Sequence, residues 1–342
     1  MRIFSYRNKR RAKILLAVLG GIVLVVFVAC LLRFIYLQRF LVYTDHGVEL
    51  NYAQDLQSDR APMETTDLSQ YPVQVMAPED NVAVSSQANE EMKQLAGFYA
   101  TTSMLLDMPS VTETLAEQEP VAALLLDMKS IYGNFYYAST IPGAVQSSAD
   151  IPAVTAFLEE LSSREDLYLI ARVPSFSDNN FALANQSCGL PLSSGALWMD
   201  SEGCYWLDPL EEDVQNYLVS IAKELSGLGF DEVVFADFYV PDSENIVYDQ
   251  EVSRAEAAAL AAEAIRTALD AYPIRVSFGS SNPQVVQSSD RVYLEASDGS
   301  AVAGLVGTFQ DSLEDPAVQV VFLTASRDTR FEGYGILRPL IE

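Results

Sequence analysis

From about Leu95 onward, eight short apolar runs punctuate the chain: GFYAT (97–101), VAALLLDMK (121–129), LYLIARV (167–173), EVVFADFYV (232–240), IRVSFG (274–279), RVYLEA (291–296), VQVVFL (318–323) and YGILRPL (334–340). They are nearly continuous in hydrophobicity rather than alternating, as befits strands covered on both faces. Between several of them the period lengthens to that of a helix. Asp208-Pro209-Leu210-Glu211 offers an N-cap, a first-turn proline and a capping-box acid ahead of Val214, Leu218, Ile221, Leu225 and Leu228 on one face. Ser253-Arg254-Ala255-Glu256 repeats the device before an Ala-rich helix ending at Tyr272-Pro273, and IPAVTAFLEEL (151–161) is a third. Eight such units in residues 95–342 predict a (β/α)8 TIM-like barrel. A doubly wound open sheet is the alternative, but no G-x-G-x-x-G or phosphate loop follows any strand to recommend it.

The pattern before Leu95 is different. Residues 14–32, ILLAVLGGIVLVVFVACLL, carry no charge and follow the basic stretch RNKRRAK. That length and flank predict a transmembrane helix over 14–36, with residues 1–13 as a cytoplasmic basic tail. A cleavable signal peptide is the rival, but Arg33 to Phe40 offers no small-residue cleavage site. Residues 37–94 are mixed and polar and are expected to form a stalk, with YTDHGVELNY a short extended piece. The chain is then a single-pass protein of the cell membrane, its C-terminal domain extracytoplasmic.

Charge sharpens this topology. Eight of the 21 basic residues and none of the 47 acidic ones fall in the first 40 positions, so the remainder carries −34 where the whole chain carries −26. Such acidity argues against nucleic acid and anionic lipid as partners of the outer domain. One histidine, His46, and no CxxC leave no expected metal site, and no cofactor motif is present. Of three cysteines, Cys30 sits in the membrane segment, while Cys188 and Cys204 fall in one loop as either a disulfide or two inert thiols.

In a barrel of this kind, chemistry belongs at the C-terminal strand ends. Asp127 and Lys129 lie two apart in LLLDMKS and are expected to share a face toward the mouth. Arg172 occupies the matching end of the third strand, Asp237 ends the fourth and Glu295 the sixth. Internal ion pairing is the competing reading of Asp127 with Lys129, and a structural pair with Asp127 or Asp237 that of Arg172. Phe135, Tyr136, Tyr137, Phe176, Trp198, Tyr205 and Trp206 crowd the loops after strands two and three, where rings either pack or stack on sugar faces. Glycoside hydrolysis needs two carboxyl groups, an acid for the leaving oxygen and a nucleophile or base. The candidates are Asp127, Asp237 and Glu295, with Lys129, Arg172, Asp178, Trp198, Trp206 and Tyr239 as substrate contacts.

LLLDMKSIYGNFYY, LIARVPSFSDNNFA and WLDPLEEDVQNYLVSIAKELSGLGFDEVVFADFYVP also resemble a bacterial family of glycoside-hydrolase-type barrels. Its motifs read V-I-D-V-K-D-x-x-G, I-A-R-x-x-x-F-x-D, W-x-[DN]-P and G-F-D-E-I-x-F-D-Y-I-R-F-P. Asp127, Lys129 and Gly133 match the first; Ala171, Arg172, Phe176 and Asp178 the second; Trp206, Asp208, Pro209, Asp231, Glu232 and Pro241 the others. The resemblance implies the barrel and a carbohydrate or cell-wall polymer as partner. Four positions depart from the pattern. The family's strand-four Asp falls on Ala236, its Tyr on Asp237, its Arg on Tyr239, and the second Asp of the first motif on Ser130.

Strict alternation turns Asp237 away from the family's acid unless a bulge shifts the register by one. Asp237 is nonetheless expected in the mouth, on the Val233/Phe235 face, meeting Arg172 or Lys129. The competing outcome has it facing the helices, capping one of them or pairing with Arg254. The functional expectation is a membrane-anchored glycoside hydrolase acting on a cell-envelope or external polysaccharide. Its alternative is a degenerate barrel that binds glycan or an envelope protein without hydrolysis.

Overall fold

A computed structural model describes residues 41–44, 47–50 and 92–341, apart from 119 and 249. The predicted membrane segment and most of the predicted stalk lie outside these residues; among those described, no helix is long and apolar enough to cross a membrane. The chain divides into two compact units, Met1–Asp80 and Asn81–Glu342. In the first, Leu41–Thr44 and Gly47–Leu50 pair antiparallel, within the stretch expected to be extended.

In the second unit all eight apolar runs become strands. They are β1 (Ala96–Ala100), β2 (Ala123–Asp127), β3 (Tyr168–Pro174), β4 (Glu232–Ala236), β5 (Arg275–Phe278), β6 (Val292–Glu295), β7 (Val320–Leu323) and β8 (Gly335–Pro339). Each pairs in parallel with its neighbour in chain order, and β8 pairs with β1 to close the barrel. The open-sheet alternative is thereby excluded. Helices α1 (Met108–Glu117), α2 (Ile151–Ser162), α3 (Asn179–Ala184), α4 (Glu212–Gly227), α5 (Arg254–Leu269), α6 (Pro283–Val286), α7 (Val302–Phe309) and α8 (Pro316–Gln319) fall between the strands.

The capping signals are only partly realised. Ser253 accepts the Glu256 amide at 3.2 Å and starts α5 as its sequence predicts. Asp208 does not cap α4: its carboxylate accepts the Leu210 amide and the Gln250 side chain, and the helix begins at Glu212. Pro209 therefore belongs to a turn, because Asp next to Pro is as good a turn signal as a helix start.

Side-chain parity along β4 fixes what reaches the mouth. Val234 joins Leu125, Ile170, Val321, Leu323 and Leu337 inside the barrel. Val233 and Phe235 join the outer shell with Val214, Leu218 and Ile221 of α4. The expected assignment of the Val233/Phe235 face to the mouth is thus reversed. At the N-terminal end of the interior, Glu232 is fully buried and accepts from Arg291 at 2.5 Å, Tyr168 at 2.9 Å and Ser277 at 2.5 Å. A charge so deep persists only because several donors replace its water.

Candidate active site

Asp127, the last residue of β2, stands in register with Arg172 of β3. Arg172 forks onto it, Nε to Oδ1 at 2.6 Å and Nη2 to Oδ2 at 2.9 Å, and its remaining Nη1 donates to Glu295 Oε1 at 2.6 Å. A bidentate guanidinium–carboxylate pair is among the stronger and more directional polar contacts a protein makes. Two carboxylates on one guanidinium are centred within about 8 Å of each other, the reach of two hydrogen-bonded forks. Asp127 and Arg172 are largely buried, whereas the Glu295 side chain is 75% exposed at the lip.

Asp237 follows β4 directly, and alternation would send it outward. Its backbone instead takes φ 52, the left-handed conformation, among the described residues the only non-glycine to do so. Asp and Asn tolerate that region better than other side chains. The excursion inserts one residue into the alternation. Asp237 then lines the mouth beside the inward-facing Val234, Arg172 and Glu295, and Phe238 takes the outward place, packed on Phe176 and Phe278 at 4.6 and 4.5 Å between ring centroids. The Ser175 amide and hydroxyl bind the Ala236 carbonyl, and the Phe238 amide binds the Gly279 carbonyl, so the turn is held on both sides.

The expected ion pair of Asp237 with Arg172 or Lys129 does not form, because both cations are already engaged. The Tyr239 amide binds the Asp237 carbonyl at 3.0 Å, but among the described residues the Asp237 carboxylate has no hydrogen-bond or ion-pair partner. Burial, opposed by Arg172 and reinforced by Glu295 and Glu202, pushes its carboxyl above the usual range. A cleft of about 260 Å³ is thus lined by an unpaired, partly desolvated acid, by Arg172 and by the ion-paired Glu295, while Asp127 is held on Arg172 outside that lining. A larger cavity of about 490 Å³ opens at the opposite end of the barrel beside Tyr168 and Arg291. That end carries stability rather than chemistry in barrels of this type.

Lys129 lies elsewhere than expected. β2 ends at Asp127, so the two-residue alternation does not extend to Lys129. Its ammonium pairs with Asp178 at 2.9 Å with both side chains inaccessible to solvent, and Tyr217 adds a hydrogen bond to Asp178 at 2.8 Å. Neither Lys129 nor Asp178 can touch a ligand there. A Cβ at Gly133 would stand 2.0 Å from Asp178 Oδ1, which makes glycine obligatory beside this pair. The D-x-K-x-x-x-G spacing therefore serves two ends, Asp127 to the mouth and Lys129 with Gly133 to a buried clamp.

Trp206 is buried; its indole donates to Asp200 at 2.8 Å and packs 5.0 Å from Tyr239, which is exposed and lines the cleft. Trp198 packs against the outer core and does not line it. Tyr99, Ser280, Ser281 and Tyr293 were not singled out by sequence. Ser280, Ser281 and Tyr293 line the cleft, and Tyr99 is close enough to Arg172, Glu295 and Asp127 to feel their charges. The FGSS stretch closing β5 was the available signal for the serines. Cys188 and Cys204 are buried and unbridged, with Cys204 pushed up to about 12 chiefly by burial, so the inert-thiol alternative describes them. No cluster of metal-ligating side chains occurs among the described residues.

Residues 97–279 match the family described as "Putative glycosyl hydrolase domain" (DUF4015), and the chain belongs to that family. No curated protein sequence matches it. Among solved structures, a hypothetical protein from Ruminiclostridium thermocellum is 24% identical over 53% of this chain and 96% of its own, with a TM-score of 0.46. The GH36 α-galactosidase of Geobacillus stearothermophilus, solved with stachyose, is 14% identical over 74% of this chain and 40% of its own (TM-score 0.52). The GH20 exo-β-N-acetylglucosaminidase of Vibrio harveyi, solved with N-acetylglucosamine, is 7% identical over 69% and 42% (TM-score 0.51). At these identities the last two speak for the barrel fold.

Proposed function

We propose that the chain is a glycoside hydrolase of the cell surface, held by residues 14–36 in the membrane and cleaving a cell-envelope or external polysaccharide. One observation carries the reading: Asp237, its carboxyl unpaired and partly desolvated, lines one cleft with Glu295 and with Arg172, the guanidinium that also holds Asp127. A carboxyl pushed above its usual range keeps its proton to higher pH, as the acid partner in glycosidic cleavage must. Asp237 donates a proton to the leaving oxygen. Glu295, exposed at the lip, or Asp127 beneath it serves as nucleophile or base, and Tyr239 supplies a flat apolar face for a sugar ring.

A second reading keeps the cleft and drops the chemistry. It is favoured by Ala236 and Tyr239, which stand where the family carries Asp and Arg. Screening the full-length chain against envelope and external polysaccharides, for binding and for new reducing ends together, separates the two. Binding with reducing-end release supports hydrolysis; binding alone supports the silent barrel; neither sinks both.

A further inference from the structure

Tyr239 is the exposed ring of the cleft, yet it stands in a loop two residues past the turn at Asp237. Among the described residues its ring meets one other ring, that of Trp206, 5.0 Å away and tilted by 50°. Trp206 is fixed far more firmly than Tyr239. Its side chain is buried, its carbonyl accepts the Leu190 amide at 2.8 Å, and it bridges to Ser177 beyond the end of β3. Its indole donates to Asp200 Oδ2 at 2.8 Å. Asp200 in turn closes the tight turn that precedes Trp206: Oδ1 accepts the Glu202 and Cys204 amides, both at 2.9 Å, and its own amide donates to the Cys204 carbonyl at 3.0 Å. One oxygen of this carboxylate thus shapes the turn, and the other holds the indole that backs Tyr239.

Resting on the reading of the cleft as a carbohydrate site, we propose that Asp200 and Trp206 are positioning residues, which act through Tyr239 to hold its ring ready for the C–H face of a pyranose. Trp206, expected from sequence to touch substrate, works one layer behind it, because its buried indole is spent on Asp200. A half-exposed tyrosine with nothing behind it must be ordered each time a sugar arrives, and ordering one such side chain weakens binding by up to about tenfold. A ring already backed by a fixed indole avoids most of that cost. The arrangement also belongs to this chain in particular: Tyr239 stands where the family motif carries Arg, so an aromatic surface replaces a charged one beside the motif's tryptophan.

The test is a double-mutant cycle in the full-length chain, read by titration with cellohexaose, laminarihexaose, chitohexaose and mannohexaose. Asp200→Asn keeps an oxygen for the two turn amides and takes away the acceptor of the indole, so it loosens Trp206 without opening the turn. For a hexamer that the parent binds, Tyr239→Ala weakens binding about tenfold, the loss of roughly half a ring's apolar contact. Asp200→Asn weakens it about three- to tenfold, and the double variant binds no more weakly than Tyr239→Ala alone, since Asp200 acts only through the ring. Where the hexamer is cleaved, Asp200→Asn raises KM by the same factor and leaves kcat in place. Binding by Asp200→Asn at the parent's strength overturns the proposal, and so do losses that multiply in the double variant, which would give Asp200 a general structural role. Binding that Tyr239→Ala does not weaken removes the aromatic surface and leaves the carbohydrate site. If the parent binds no hexamer but releases reducing ends from a polysaccharide, the same cycle is read on KM for that polymer, with the same outcomes. Absence of all binding and all release removes the carbohydrate reading and this proposal with it.

Discussion

At the scale of the residue, the account turns on one backbone angle. Asp237 enters the mouth because it adopts φ 52, and a side chain without the tolerance of Asp or Asn resists that conformation by about 1–2 kcal/mol. Asp237→Asn keeps the turn, strands no cation and removes only the proton. Since burial raises the folded-state pKa of Asp237, its contribution to stability is fully present below the unfolded value and is lost as pH rises through the raised one. At neutral pH the variant is therefore expected to melt at the same temperature as the parent or slightly above it. Asp237→Ala, by contrast, should melt a few degrees lower from strain in the turn. Thermal denaturation of the two side by side decides the point, and a lowered melting point for Asn would mean that Asp237 has a structural partner. Lys129 behaves oppositely. Lys129→Met leaves Asp178 charged and inaccessible, and breaking a buried pair in this way costs about 3–5 kcal/mol. Replacing both partners together costs less than the sum, and a double-mutant cycle by chemical denaturation measures the difference.

At the scale of the element, the strands were legible and their faces were not. Continuous apolar runs announced eight buried strands because both faces of each are covered. The same continuity hid which of Val233 and Val234 points inward, since either is at home on either side. Lys129 was misplaced for a related reason: alternation was carried past Asp127, where the strand had ended. A left-handed residue leaves no trace in hydrophobic pattern, so the way Asp237 reaches the mouth required coordinates. The loop after β2 has its own fastening. Glu224 of α4 accepts from Tyr137, Ser139 and both the amide and hydroxyl of Thr140, at 2.5–3.0 Å. Partial burial works against its charge, yet these donors hold the carboxyl below the usual range. A depressed folded pKa gives stability that is present above the unfolded value, about 4.3, and lost as pH falls through the folded one. Glu224→Gln is expected to cost about 1–2 kcal/mol, and the protection of the Thr140 amide relative to its intrinsic exchange rate should fall both in that variant and in the parent at acid pH. Exchange at Thr140 that ignores both changes would show that the loop is held by other contacts.

At the scale of the whole molecule, the sequence separates its charge along the chain. Eight basic residues and no acid precede position 41, and the acidic remainder follows. Under the proposed topology, protease added to intact cells digests the chain beyond about residue 40 and spares a cytoplasmic control. Protection of both would reverse the orientation. The barrel's two ends are likewise divided: the buried Glu232–Arg291 network lies at one, and the cleft lined by Arg172, Asp237 and Glu295 opens at the other. The central claim, that Asp237 is the proton donor of a glycosidase, is tested most directly by counting reducing ends. The full-length chain and Asp237→Asn are incubated with a polysaccharide that the parent cleaves, with melting temperatures recorded on the same preparations. General acid catalysis contributes about 10²–10⁴-fold, so the variant should release at least a hundredfold fewer ends while melting no lower than the parent. Release by Asp237→Asn at the parent's rate contradicts the claim, and so does the absence of release by the parent from every polysaccharide offered.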